Sequence, residues 1–144
     1  MNKSVTLALD VMSGENDPHS SLQAASKLIS VNESVNLHLI GNEEKIKEYL
    51  PRKIDDRLSI LHTEEVITMK DSPMDVLRRK KQSSMRLAVE LVANKKADAC
   101  ISSGNTGALL AISKYLLKTI PNISRPALAT VSYTHLTLPT IYSV

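Results

Sequence analysis

The residues with the clearest chemical potential are Ser102-Ser103-Gly104-Asn105-Thr106-Gly107, set between an apolar run that ends at Ser102 and an apolar helical pattern that begins at Ala108. Glycines let backbone N–H groups converge, the Ser and Thr hydroxyls add donors, and the start of the following helix favours negative charge. Such a loop suits a phosphate or a developing oxyanion. The same residues also suit an ordinary capped turn from strand to helix, so both readings stand. The loop is not of the nucleoside-triphosphate type, because no Gly-Lys-Ser/Thr ending is present.

A second constellation starts at Asp10, a carboxylate near the end of the apolar run Val5 to Met12, and continues through Ser13-Gly14-Glu15-Asn16-Asp17-Pro18. Asp10 either braces local N–H groups or points into a site. Together with Glu15 and Asp17 it forms an acidic cluster that a divalent cation could use, although carboxylates also gather at helix starts for capping. The lone glycine, Gly14, speaks against a dinucleotide fingerprint. A third group, Lys81, Ser83, Ser84, Met85 and Arg86, places two hydroxyls at a helix start between cationic side chains. It reads either as a clamp for an anionic group or as capping beside a solvated basic face.

The remaining reactive residue types carry less. His19, His38, His62 and His135 show no metal-ligand spacing. Cys100 lies inside an apolar strand pattern and reads as a buried, inert thiol.

These residues need elements to position them. Val5–Met12, Val35–Ile40, Leu58–Leu61, Ala97–Ser102 and Ala127–Val131 read as strands. Between them, helical patterns follow Pro18, span Glu43–Leu50, begin at Pro73 and at Ser84, and run from Ala108 to Lys118. Asp17 before Pro18, and Ser72-Pro73-Met74-Asp75, are helix starts with a capping side chain and a proline where its missing N–H costs nothing. Strands alternating with helices predict an α/β domain, three layers deep, with a mostly parallel sheet. In that architecture ligands sit beyond the carboxyl ends of the strands, where the loops after Met12 and Ser102 fall. From Ser132 to Val144 the rhythm stops, so residues 1–131 read as the domain and 132–144 as a tail of a truncated chain.

Composition narrows the class. The 144 residues include 42% hydrophobic and 23% charged side chains and neither Trp nor Phe, a globular profile with few stacking platforms for bases. A formal net charge of +3 is too mild to announce nucleic-acid binding. Eight basic residues stand against three acidic ones between Lys70 and Lys96, a local field that favours an anionic partner. The start has no signal-peptide pattern, and no run approaches the ~20 apolar residues that span a bilayer. With a single cysteine, the expectation is a cytoplasmic protein.

Four segments together resemble one family. They are Leu7-Ala8-Leu9-Asp10-Val11-Met12 with its loop to Pro18, Lys81-Gln82-Ser83-Ser84-Met85-Arg86, Ser102-Ser103-Gly104-Asn105-Thr106-Gly107-Ala108-Leu109, and Arg125-Pro126-Ala127-Leu128. In order and spacing they are similar to the phosphate acyltransferases of bacterial phospholipid synthesis, over residues 3 to about 131. Two positions depart from the family's first loop: Ser13 stands for a glycine and Glu15 for an aspartate. A serine there would cost about 1 kcal/mol or more if a left-handed backbone were required.

The resemblance implies a fold related to the phosphotransacetylases and the isocitrate and isopropylmalate dehydrogenases, in a full-length homodimer associated peripherally with the membrane. It implies formation of an acyl phosphate from a fatty acyl thioester of acyl carrier protein and inorganic phosphate, with no metal and no cofactor. Asp10, Lys81 and Asn105 are then the expected catalytic residues. Gly14, Ser83, Ser84, Arg86, Ser103, Gly104, Thr106 and Gly107 are the expected substrate and phosphate contacts. Two other readings remain open: a phosphate acetyl- or butyryltransferase acting on acyl-coenzyme A, and a non-catalytic anion-binding module.

Overall fold

The computed structural model describes residues 4–14, 18–50 and 55–128. Four strands, β1 (Val5–Asp10), β2 (Val35–Gly41), β3 (Leu58–His62) and β4 (Ala99–Ser102), form one sheet in the order β3-β2-β1-β4. Every pairing is parallel. Five helices connect and cover them: α1 (Pro18–Val31), α2 (Glu43–Tyr49), α3 (Pro73–Arg79), α4 (Ser84–Ala93) and α5 (Thr106–Leu117).

Strand alternation sends side chains to two faces, and each face is covered. Leu37 and Leu39 of β2 pack with Leu22, Ala25 and Ile29 of α1 and Ile46 of α2. Ala8 and Ile40 point the other way, onto Ala88 of α4. Beyond α4, a further apolar cluster of Ile67, Val76, Met85, Val89, Ala108 and Ile112 joins α3, α4 and α5. The expected three layers with a parallel sheet are therefore present.

Helix starts follow the local chemistry. Ser72 caps α3: its hydroxyl accepts from the Asp75 N–H at 3.2 Å and donates to the Asp75 carboxylate at 2.7 Å, with Pro73 in the first turn. Asn42 caps α2 through the Lys45 N–H, and His62 Nδ1, at the end of β3, accepts from the Glu43 N–H at 3.1 Å.

Some boundaries differ from expectation. β1 ends at Asp10, because Val11 donates to the Ile40 carbonyl as the chain turns away. β4 begins at Ala99 rather than Ala97, and Asp98 just ahead of it is tied to β1: the Asp98 N–H donates to the Thr6 carbonyl and the Thr6 N–H to the Asp98 carboxylate. Helix α5 starts two residues before Ala108, at Thr106. The strand expected over Ala127–Val131 falls mostly outside the described residues, and Ala127 and Leu128 are not in a strand. Asp17, the expected cap of α1, and the tail 132–144 also lie outside them. Among the described residues, no helix is long and apolar enough to cross a membrane.

Candidate functional site

The strand order turns at β1. The chain lays β2 and β3 on one side of it and β4 on the other, so the loops leaving β1 and β4 start from neighbouring strand ends at the sheet's carboxyl edge. This is the place where an open parallel sheet receives ligands. It brings the first two constellations of the sequence together.

Asp10 is the pivot. Its carboxylate is 1% exposed. One oxygen accepts from the Met12 and Ser13 N–H groups at 3.3 and 3.2 Å, and the other accepts from the Ser102 hydroxyl at 2.7 Å. Ser102 is also the register partner of Asp10, and its hydroxyl oxygen accepts from the Gly104 N–H at 3.2 Å. A buried carboxylate is costly without such donors. Here they tie the two strand ends and both loops into one unit, so the carboxylate acts as a brace with both oxygens engaged.

The loops then touch. The Ser103 hydroxyl donates to the Ser13 carbonyl at 2.9 Å. Gly14 has φ +120°, and a Cβ on it would lie 2.7 Å from Ser103 Oγ. A Cβ on Gly104 would lie 2.6 Å from Ser13 Cβ and 2.8 Å from the Met85 methyl of α4. Both glycines are required by close approach, and Gly14 also by its backbone. Ser13 keeps an ordinary negative φ, so the serine in place of the family's glycine stores no backbone strain. Its hydroxyl is buried without a hydrogen-bond partner, as is that of Ser84.

Asn105 organises the helix behind the loop. Its side-chain oxygen accepts from the Ala108 N–H at 3.0 Å, capping α5, and its backbone carbonyl receives the Leu109 N–H. Its amide donates to the carbonyls of Thr68, Met69 and Asp71 at 3.0–3.3 Å. Among the described residues the N–H groups of Thr106 and Gly107 have no partner, and both residues are exposed. They are the open donors of the loop, at the positive end of a twelve-residue helix.

The segment that receives Asn105 is itself pinned. The Asp71 carboxylate accepts from the Thr68 N–H at 2.6 Å, the Thr68 hydroxyl at 2.9 Å and the Lys80 ammonium at 2.7 Å, and that ammonium also donates to the Val66 carbonyl. The hydrogen bond from Lys80, followed by that from the Thr68 N–H, holds the Asp71 pKa down at about 2.

The third constellation is only partly drawn in. Ser83 is fully buried at the head of α4 and donates to the Lys80 carbonyl. Ser84 is fully buried beside Met85, the residue that meets Gly104. Lys81 is exposed in the turn between α3 and α4. Arg86 turns away: its guanidinium donates to Glu90 at 2.9 Å and lies 5.7 Å from the centre of the Tyr115 ring. Tyr115 is nine residues along α5 from Thr106, roughly 14 Å of helix, so the structure does not bring Arg86 to the loop.

Thr68, Met69 and Asp71 were not singled out from the sequence, and Ser102 was read only as part of its loop. Ser102 is legible as a partner of Asp10 only once the strand register is known, and the other three act through carbonyls that no side-chain pattern announces. Of the histidines, His38 bonds to the Ser59 hydroxyl and the Lys96 carbonyl, and His19 stacks obliquely on Tyr49. Cys100 is half-buried rather than buried, because β4 is an edge strand. Burial, with the Asp10 charge adding to it, pushes the thiol pKa up and keeps it protonated. Glu15 and Asp17 lie outside the described residues, among which no group of three His, Cys, Asp or Glu side chains is placed to hold a metal ion.

Fold and site together define a parallel α/β domain whose two strand-end loops meet beside the exposed first turn of a helix. The family described as "Fatty acid synthesis protein" matches residues 5–140, and so runs on past Val131. The chain belongs to that family. It is 51% identical over 127 residues to the phosphate acyltransferase of Shewanella woodyi, an alignment covering 86% of this chain and 37% of that relative. It is 48% identical over 126 residues to the phosphate acyltransferase of Methylococcus capsulatus, covering 85% and 37%. The chain thus spans a little over a third of the length of the curated relatives it matches.

Proposed function

We propose that this chain contributes the phosphate-handling part of an acyltransferase of phospholipid synthesis, which converts the thioester of a fatty acyl-acyl carrier protein and inorganic phosphate into an acyl phosphate. The observation that carries the reading is the pair of touching loops at the β1 and β4 strand ends, with the Thr106 and Gly107 N–H groups without a partner among the described residues at the head of α5. The names of the relatives support it. The same reading carries a cytoplasmic homodimer associated peripherally with a membrane.

The chemistry asks for little beyond positioning and charge. A phosphate oxygen attacks the thioester carbonyl carbon, negative charge builds on the carbonyl oxygen, the C–S bond breaks, and the carrier thiolate takes up a proton. Donors aimed where charge develops accelerate such a step more than an added base does. The Thr106 and Gly107 N–H groups and the Thr106 hydroxyl suit the phosphate or the oxyanion, and exposed Lys81 adds a cation on the side of α4. Asp10, Ser102, Ser103 and Asn105 act as positioning residues, since their polar atoms already hold the loops.

The test is acyl phosphate formation from palmitoyl-acyl carrier protein and phosphate, trapped with hydroxylamine, with the full-length Shewanella woodyi relative run beside this chain. Phosphate binding by this chain that survives Asn105→Ala and Gly107→Pro together would sink the loop assignment. Transfer by the relative that runs equally well from palmitoyl-coenzyme A would favour the acyl-coenzyme A reading.

A further inference from the structure

Between Lys70 and Lys81 the chain carries five cations against two carboxylates, and the carboxylates are internally engaged. Asp71 is paired with Lys80, and Asp75 accepts from the Ser72 hydroxyl. Lys70, Arg78, Arg79 and Lys81 are exposed and make no ion pair among the described residues. Met69 and Met74, 52% and 58% exposed, lie among them. Met74 and Arg78 are four residues apart on α3 and share one side of it.

This basic, methionine-bearing face adjoins the candidate site. Asn105 donates to the carbonyls of Thr68, Met69 and Asp71, and a Cβ on Gly107 would lie 3.4 Å from the Pro73 ring. The residues that begin the patch are thus hydrogen-bonded to the residue that caps the anion loop. Unpaired cations around adaptable apolar side chains fit an acidic, amphipathic protein surface. A membrane would ask for a longer apolar face than α3 presents over seven residues.

We infer that the surface of α3 and its two flanking turns, carrying Met69, Lys70, Met74, Arg78, Arg79 and Lys81, docks the acidic carrier protein that delivers the acyl thioester, which then reaches the Ser103–Gly107 loop across the Thr68–Asp71 segment. The inference rests on the function proposed above and adds the surface at which the partner is met. Steering by such a face raises the association rate and makes affinity salt-dependent.

The experiment titrates fluorescently labelled acyl carrier protein into this chain and follows anisotropy at low and moderate salt. Arg78→Glu/Arg79→Glu is expected to weaken binding ~10-fold or more and to flatten its salt dependence. Lys27→Glu/Lys45→Glu changes net charge equally on α1 and α2, which cover the opposite face, and is expected to stay within about twofold. Arg78→Gln/Arg79→Gln, with circular dichroism to confirm folding, should fall between. Unchanged affinity in the α3 variant, or an equal loss in the α1/α2 variant, overturns the surface and leaves the carrier reading intact. No carrier binding by the unsubstituted chain overturns both. Loss of binding to phosphatidylglycerol vesicles in the α3 variant, with carrier binding retained, assigns the face to membrane and overturns the proposal.

Discussion

The hydroxyl of Ser102 donates a 2.7 Å hydrogen bond to the carboxylate of Asp10, its register partner across the junction of β1 and β4. This single contact joins strand ends that are 92 residues apart in sequence. It also links the two loops that follow β1 and β4, because the other Asp10 oxygen holds the Met12–Ser13 turn and the Ser102 oxygen holds Gly104.

Removing either partner leaves a buried polar group unpaired. Asp10→Ala and Ser102→Ala are each expected to lower stability by about 1–3 kcal/mol. In a double-mutant cycle read by urea unfolding, the pair should couple by about 1 kcal/mol or more. Strict additivity would show that the two strand ends are held independently.

Asn105 has two separable duties. Asn105→Asp keeps the oxygen that caps α5 but loses the amide donors to Thr68, Met69 and Asp71, while Asn105→Ala loses both. Alanine should cost about 1–2 kcal/mol at the cap. Hydrogen exchange checks the separation: in the aspartate variant the Thr68–Asp71 amides should exchange faster while Ala108 stays protected. Loss of protection at Ala108 in that variant would refute it.

Gly104 and Ser13 compete for the same space. Gly104→Ala alone should destabilise by about 1–3 kcal/mol through overpacking against Ser13 and Met85. Ser13→Gly alone removes a buried, unpartnered hydroxyl and should cost little, and combined with Gly104→Ala it should recover part of the loss. Thermal melts of the four proteins decide this. No recovery in the double variant would place the clash at Met85 instead.

The Asp71 carboxylate has its pKa lowered from 3.8 to about 2. A carboxylate depressed on folding stabilises the native state fully above its unfolded value and loses that contribution as pH falls through its folded value. The difference in urea midpoint between the parent chain and Asp71→Asn should therefore be constant above about pH 5 and shrink between about pH 4 and 2. The Thr68 amide should lose protection over the same range. A midpoint difference independent of pH would mean that the pair with Lys80 contributes nothing to stability.

Much of the fold was legible because its signals are local. Apolar runs punctuated by Gly41 and by the Ser72-Pro73 helix start mark strands and helices without knowledge of their neighbours. The positions of the two candidate loops followed from the same alternation, since a parallel sheet puts every strand's carboxyl end on one edge. Strand lengths were less legible: the run Ala97–Ser102 reads as one strand, but β4 starts only at Ala99, after the charged Asp98.

The site divides along the same line. Residue types alone determined that a glycine-bearing loop rich in hydroxyls precedes α5, that a lone glycine stands in the loop after β1, and that a basic segment surrounds Lys81. Only the tertiary structure decided that Asp10 faces Ser102, that the Asn105 amide holds the Thr68–Asp71 segment, and that Arg86 turns toward Glu90 and Tyr115 rather than the loop. The reason is physical: glycine freedom, capping and helix polarity act within a few residues. Strand register and helix rotation are settled by which apolar faces pack together, and those choices place polar groups from distant parts of the chain within hydrogen-bond reach.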